Sequence, residues 1–231
     1  MKSKYTNYNG TLTLYEISTG IFACLINARS LYRDAIIFIL LCRYNRASTC
    51  LLFACEELGK ANLLTCMSQI LPEASELWKK AWKSFRSHQL KGTHAAIQTV
   101  PYEMRKSFDD FQWIVPHASE LASLAEKDRQ ASIYIDFSPK TREWVYPSNI
   151  NLSTVLRQLR YTRHILKNMG NNRKAGYYSV KSLSIIHEEM ADTYSSLLLK
   201  PKVTHKDFKA LESRNNQCVQ RLKEELGISS A

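Results

Sequence analysis

An all-α bundle is the fold class this sequence predicts, and three observations lead to it. Gly and Pro are scarce, at 7 and 6 in 231 residues, so the chain lacks the frequent tight turns that an all-β fold needs. Apolar residues recur at spacings of three and four along most of its length. Hydrophobic residues at 45% and charged residues at 23% are ordinary globular proportions, which excludes a fibrous or disordered chain.

The first helix is expected from about Leu12 to Tyr44, with Ile21, Leu25, Ala28, Leu31, Ala35, Phe38 and Cys42 on one stripe. A polar break at Asn45 and Arg46 separates it from a second helix reaching about Ile70, which Pro72 ends. Between Ala47 and Leu71 the only charged residues are Glu56, Glu57 and Lys60. A helix that is apolar nearly all round is surrounded by others, so at least one of those carboxylates should be partly buried.

A third helical region covers 72–99, with a break expected near Gly92. A fourth covers 101–127 and presents Phe108, Phe111, Ile114, Ala118, Leu121 and Leu124 as its packing face. Residues 131–147 alternate apolar and polar and are rich in aromatic and β-branched types, which suggests a short extended or hairpin insertion. Helix resumes from Leu152 to Met169, where Val155, Leu159, Leu166 and Met169 oppose Arg157, Arg160, His164 and Lys167. Two more helices follow, about Tyr178 to Leu199 and Thr204 to Leu226, divided at Lys200 and Pro201. With no internal repeat and no Gly/Ser-rich linker, a single domain over 1–231 is expected, its C-terminal helices packed on the bundle.

The net charge of +11 and pI near 9.4 imply a positive field that attracts RNA, DNA or an acidic protein. Five of six cysteines (Cys24, Cys42, Cys50, Cys55 and Cys66) fall in apolar segments and none forms a CxxC pair, so buried reduced thiols are expected instead of a zinc site. That points to a reducing cytoplasm. Met1 to Gly10 does not read as a signal peptide, and the longest strongly apolar run, Ala35 to Cys42, falls short of the roughly 20 residues that cross a bilayer. No membrane association is expected.

Four groups of residues could carry chemistry. In EELGK (56–60), Lys60 can pair with Glu56 at i,i+4 or Glu57 at i,i+3, either as a structural ion pair or as a polar centre that orients a catalytic partner. In FRSHQLKGTH, Arg86, His88, Lys91 and His94 place a titratable imidazole beside cations able to hold a phosphate. In EKDRQASIYIDF, Arg129, Tyr134 and Asp136 follow one another closely. The face formed by Arg157, Arg160, His164 and Lys167 is either a solvated surface or a binder of phosphate backbones or an acidic partner. Gly-rich phosphate loops, HExxH pairs and nucleophile elbows are missing, so no cofactor or metal is implied.

Taken together, these segments resemble the AbiV family of abortive-infection proteins, grouped with the HEPN-type helical domains. The matching residues are Asn27, Ala28, Leu31, Asp34 and Ala35, then Ala47, Leu51, Ala54 and EELGK at 56–60. Phe85, Arg86, Ser87, His88 and Lys91 follow, then Lys127, Arg129, YIDF at 134–137, Trp144 and Pro147, so the resemblance spans about 25–150. It implies a bacterial cytoplasmic bundle, a homodimer, activation by a phage-encoded protein and arrest of phage multiplication through RNA or translation.

Many HEPN proteins are metal-independent ribonucleases that use an Arg followed at short spacing by a His. Here Tyr134 stands where a His four to six residues after Arg129 would, and the Arg-then-His pair of Arg157 and His164, seven residues apart, lies beyond the resembling stretch. If RNA is cut, His88 or Tyr134 would transfer the proton, Arg129 and Lys91 would hold the phosphate, and Glu57, with Lys60 beside it, would orient them. Arg86, Arg157, Arg160, His164 and Lys167 would bind nucleic acid. The competing expectation is a non-enzymatic protein whose basic helices engage an acidic phage or host protein.

Overall fold

A computed structural model describes residues 8–99, 108–133, 136–138, 142–145, 150–174, 176–201 and 203–227. Among them are eight helices and one small hairpin. Helix α1 (Leu14–Leu40) opens with a capping box: Thr13 Oγ1 accepts from the Glu16 amide, and Glu16 accepts from the Thr13 amide at 2.8 Å. It ends four residues before the expected end at about Tyr44. Cys42 is left-handed at φ 55°, its amide donates to Ile39 O, and the Arg43 amide donates to Phe38 O. This is a Schellman end built without glycine, which is why composition did not mark it.

Helix α2 (Tyr44–Met67) follows at once, and a three-residue connection makes the pair an antiparallel hairpin. Asn45 lies inside this helix, where its Oδ1 accepts from the Ile150 amide. Helix α3 (Ser75–Arg86) buries Trp78 and hands over to α4 (His88–Ile97) at Ser87, whose hydroxyl caps the Leu90 amide. The break expected at Gly92 is thus at Ser87. Gly92 stays helical because it is a contact point: a Cβ there would sit 3.0 Å from Ala122 Cβ.

Helix α5 (Phe108–Ile133) runs past the expected end at Lys127. Its buried face is Ile114, Ala118 and Ala122, while Leu121 and Leu124 are about half exposed. The expected packing face therefore holds for Ile114 and Ala118 and fails for the two leucines; the side chains of Phe108 and Phe111 lie outside the described residues. Strands β1 (Asp136–Ser138) and β2 (Glu143–Val145) pair antiparallel with Phe137 opposite Trp144.

Helix α6 (Leu152–Lys174) buries Val155, Ile165 and Met169 and exposes its basic side. Helix α7 (Val180–Leu199) and α8 (His205–Leu226) are both N-capped by a hydroxyl, from Ser179 and Thr204. The main core joins Ile17, Ile21, Leu25 and Ala28 of α1 to Leu58, Ala61 and Leu64 of α2, Ile165 and Met169 of α6, and Leu183 of α7. A smaller cluster of Ile185, Met190, Cys218 and Leu222 holds α8 on α7, and Arg221 bridges Glu188 and Glu189 at 2.8 and 3.0 Å. All six cysteines are free; Cys42, expected to be buried, is exposed because the chain turns there. Among the described residues, no helix is long and apolar enough to cross a membrane.

Candidate functional site

EELGK divides between two neighbours of α2, because adjacent positions on a helix point about 100° apart. Glu57 turns toward α1, where it takes Lys60 Nζ at 2.6 Å and lies beside Cys24. Burial first, then the Glu57 carboxylate, pushes the Cys24 thiol up to about 12, so it stays protonated. Glu56 turns toward α4. Its Oε2 accepts from His88 Nδ1 at 2.8 Å and from Lys91 Nζ at 3.0 Å.

The backbone makes this close approach possible. A Cβ on Gly59 would fall 1.9 Å from the Lys91 carbonyl oxygen, so α2 and α4 touch where the motif has its glycine. One turn away along each helix are Glu56 and His88. The Lys91 side chain is 6% exposed and that of Glu56 12%, whereas His88 is 47% exposed. Lys91 is therefore an internal anchor for the carboxylate, and His88 is the member that meets solvent.

A carboxylate oxygen accepts, so His88 donates from Nδ1, and the neutral tautomer that makes this bond carries its lone pair on Nε2. This is the carboxylate-oriented imidazole that proton-transfer sites use. Lys91 does not occupy the phosphate-holding place expected for it, since its ammonium is turned inward to Glu56. The orienting place expected for Glu57 is taken by Glu56.

Helix α5 adds a residue that the sequence reading missed. Glu126 brings a carboxylate oxygen to a cluster in which its donor atom and those of Glu56 and His88 all lie within 4.8 Å of one another, close enough for one ion. The signal was present: Ile114, Ala118, Ala122 and Glu126 are four apart, so an acid continues a buried stripe. Arg129 follows one turn later on α5; its side chain, Tyr134 and the side chain of Asp136 lie outside the described residues.

The remaining expected site residues are elsewhere. Arg86 donates to Tyr8 O at 3.2 Å and Asn9 Oδ1 at 2.8 Å, tying down the N-terminal segment. Arg157, Arg160, His164 and Lys167 are exposed on α6. His164 Nε2 accepts from Asn168 Nδ2 at 3.1 Å and so ends a second polar chain. Asn168 also donates to Gln98 O, Gln98 Nε2 donates to Asn62 Oδ1 at 2.8 Å, and Asn62 Nδ2 donates to His94 Nδ1 at 3.1 Å. Burial holds the His94 imidazole down at about 4, so it is neutral near pH 7.

Beside α4 an open apolar groove of about 370 Å³ runs among α2, α4, α5 and α6. Leu52, Ala95, Leu121 and Tyr161 line it and Arg157 borders it. Gln158, also in its wall, has a buried Oε1 with no hydrogen-bond partner.

Comparison with known proteins gives a match to the family model HEPN_AbiV, described as AbiV, over residues 16–167. No curated protein and no solved structure matches. The matched stretch is longer than the sequence resemblance alone, and it takes in Arg157 and His164, which that resemblance placed outside.

Proposed function

The chain belongs to the AbiV family, whose model spans more than half of it, and from that premise we propose that it is an abortive-infection effector arresting phage multiplication by acting on RNA or translation once a phage component activates it. Membership places it among HEPN-type defence proteins. One observation supports the chemical part: an imidazole held through Nδ1 by a carboxylate that is itself anchored by a buried lysine.

In this reading His88 Nε2 takes the proton of a ribose 2′-hydroxyl as that oxygen attacks the adjacent phosphorus; the bond from phosphorus to the 5′-oxygen breaks, leaving a 2′,3′-cyclic phosphate, and the departing 5′-oxygen takes a proton from water while the imidazolium returns its own to solvent. Glu56 stabilises the resulting imidazolium, and Lys91 acts as a positioning residue through Glu56. His88 is also the first residue of α4, so a phosphate beside it meets the amide end of that helix. Arg157, Arg160 and Lys167 on α6 supply further positive charge for the backbone.

The test is phage challenge of cells carrying His88→Ala or Glu56→Gln, with expression checked by immunoblot. Loss of protection in both is expected; full protection in both removes the site. Purified protein incubated with total RNA, with and without EDTA, separates cleavage from binding, and cleavage should survive chelation. The groove bordered by Arg157, with Leu121 and Leu124 half exposed in its wall, favours a second reading in which an acidic phage or host protein docks there without chemistry. Protection that survives loss of His88 but fails in an Arg157→Glu, Arg160→Glu variant would select it.

A further inference from the structure

Three helices deliver oxygen and nitrogen donors to one place: Glu56 from α2, His88 from α4 and Glu126 from α5. We propose that these side chains form a binding site for a divalent transition-metal ion, with zinc the ion of choice. Among the described residues this is the group of His, Cys, Asp and Glu side chains whose donor atoms cluster closely enough for an ion. One imidazole nitrogen and two carboxylate oxygens are a donor set that zinc accepts, and they leave a coordination position for water.

The scaffold beneath the cluster is closely packed, as the backbone shows. Gly59 brings α2 against the Lys91 carbonyl, and Gly92 brings α4 against Ala122 of α5. Each of these points is about one turn from a donor: Gly59 from Glu56, Gly92 from His88, and Ala122 from Glu126. The donors therefore stand on helices packed in close backbone contact, the support a metal site requires.

Bond lengths near 2.0–2.2 Å put neighbouring donors roughly 3 Å apart, so the present spread has to contract. Rotation of half-exposed His88 and of Glu126 achieves that, while the nearly buried Glu56 stays in place. Lys91 offsets one of the two carboxylate charges. The ammonium acts as an outer partner that orients Glu56.

One consequence rests on the role proposed for His88. A neutral imidazole coordinated through one nitrogen carries its proton on the other, so it has no lone pair left. Metal occupancy and use of His88 as a base exclude each other, and chelation should raise any ribonuclease activity.

The test is calorimetric titration of the full chain, stripped with chelator and desalted, with zinc chloride. One equivalent per chain at micromolar zinc is expected, and His88→Ala and Glu126→Gln should each weaken binding by at least about tenfold with unchanged helical circular dichroism. Cobalt(II) should bind without a thiolate charge-transfer band. Absence of zinc binding to the native chain, unchanged affinity in both variants, or a thiolate band would overturn the site. Phage protection by His88→Ala is read separately: zinc binding to the native chain with that variant still protecting keeps the metal site and removes the acid–base reading.

Discussion

Lys91 is the residue on which the cluster's stability turns. With both partners largely withdrawn from water, removing Lys91 takes away the buried ammonium that compensates the Glu56 carboxylate. Lys91→Met should cost about 3 kcal/mol, and Glu56→Gln in the same background should recover part of it. A double-mutant cycle by urea unfolding checks this; a coupling near zero would mean that the pair does not interact. His94 carries a separate expectation. Its folded imidazole titrates at about 4 against the ordinary 6.5 because burial opposes charging. Between those values the unfolded chain binds a proton that the folded chain refuses, so stability falls on acidification from pH 6.5 to 4 and this loss stops below 4. The amount is about 3 kcal/mol, and His94→Gln should flatten the stability profile in that window.

Among the elements, helix contacts decide more than helix propensity. Alanine at position 59 would gain about 1 kcal/mol of propensity, yet its Cβ would collide with a backbone carbonyl at 1.9 Å. Sterics win: Gly59→Ala should destabilise by about 2 kcal/mol or more and abolish zinc binding and protection together. Gly92→Ala meets Ala122 Cβ at 3.0 Å, with the Ala122 backbone no nearer than 3.5 Å, and should be much milder, so thermal melts of the two variants form a direct comparison. At the α1–α2 turn the cost runs the other way. Cys42 holds a left-handed conformation that suits glycine, so Cys42→Gly should stabilise by about 0.5–1 kcal/mol, seen as a higher melting temperature. The α1–α2 turn and the α3–α4 break, expected at Gly92, were hard to read from the sequence for one reason. A glycine used for packing and a cysteine used as a cap reverse the residues' ordinary meanings, whereas the capping boxes at Thr13 and Thr204 carry theirs openly.

At the scale of the molecule, two surfaces are left over. The C-terminal end of α1 exposes Ile36, Ile37 and Leu40, with Leu41 just beyond it, a small apolar patch. If the homodimer that the family resemblance implies forms through this patch, Ile37→Glu with Leu40→Glu should yield a monomer in light scattering without loss of helix; a native chain that is monomeric at every concentration refutes that dimer. The positive side is α6, which keeps Arg157, Arg160 and Lys167 in solvent as its sequence periodicity suggested.

What the sequence by itself determined was the set of helices, the basic face of α6 and the presence of a polar centre in α2, because a 3.6-residue period is a local property. Which carboxylate serves that centre was decided only by the tertiary structure. Glu56 and Glu57 lie on two faces that are equally apolar in sequence, and the choice between them depends on where α1 and α4 pack. Glu126 completes the cluster for the same reason: its neighbours belong to helices far away in the chain, and only their packing turns three separate side chains into one site.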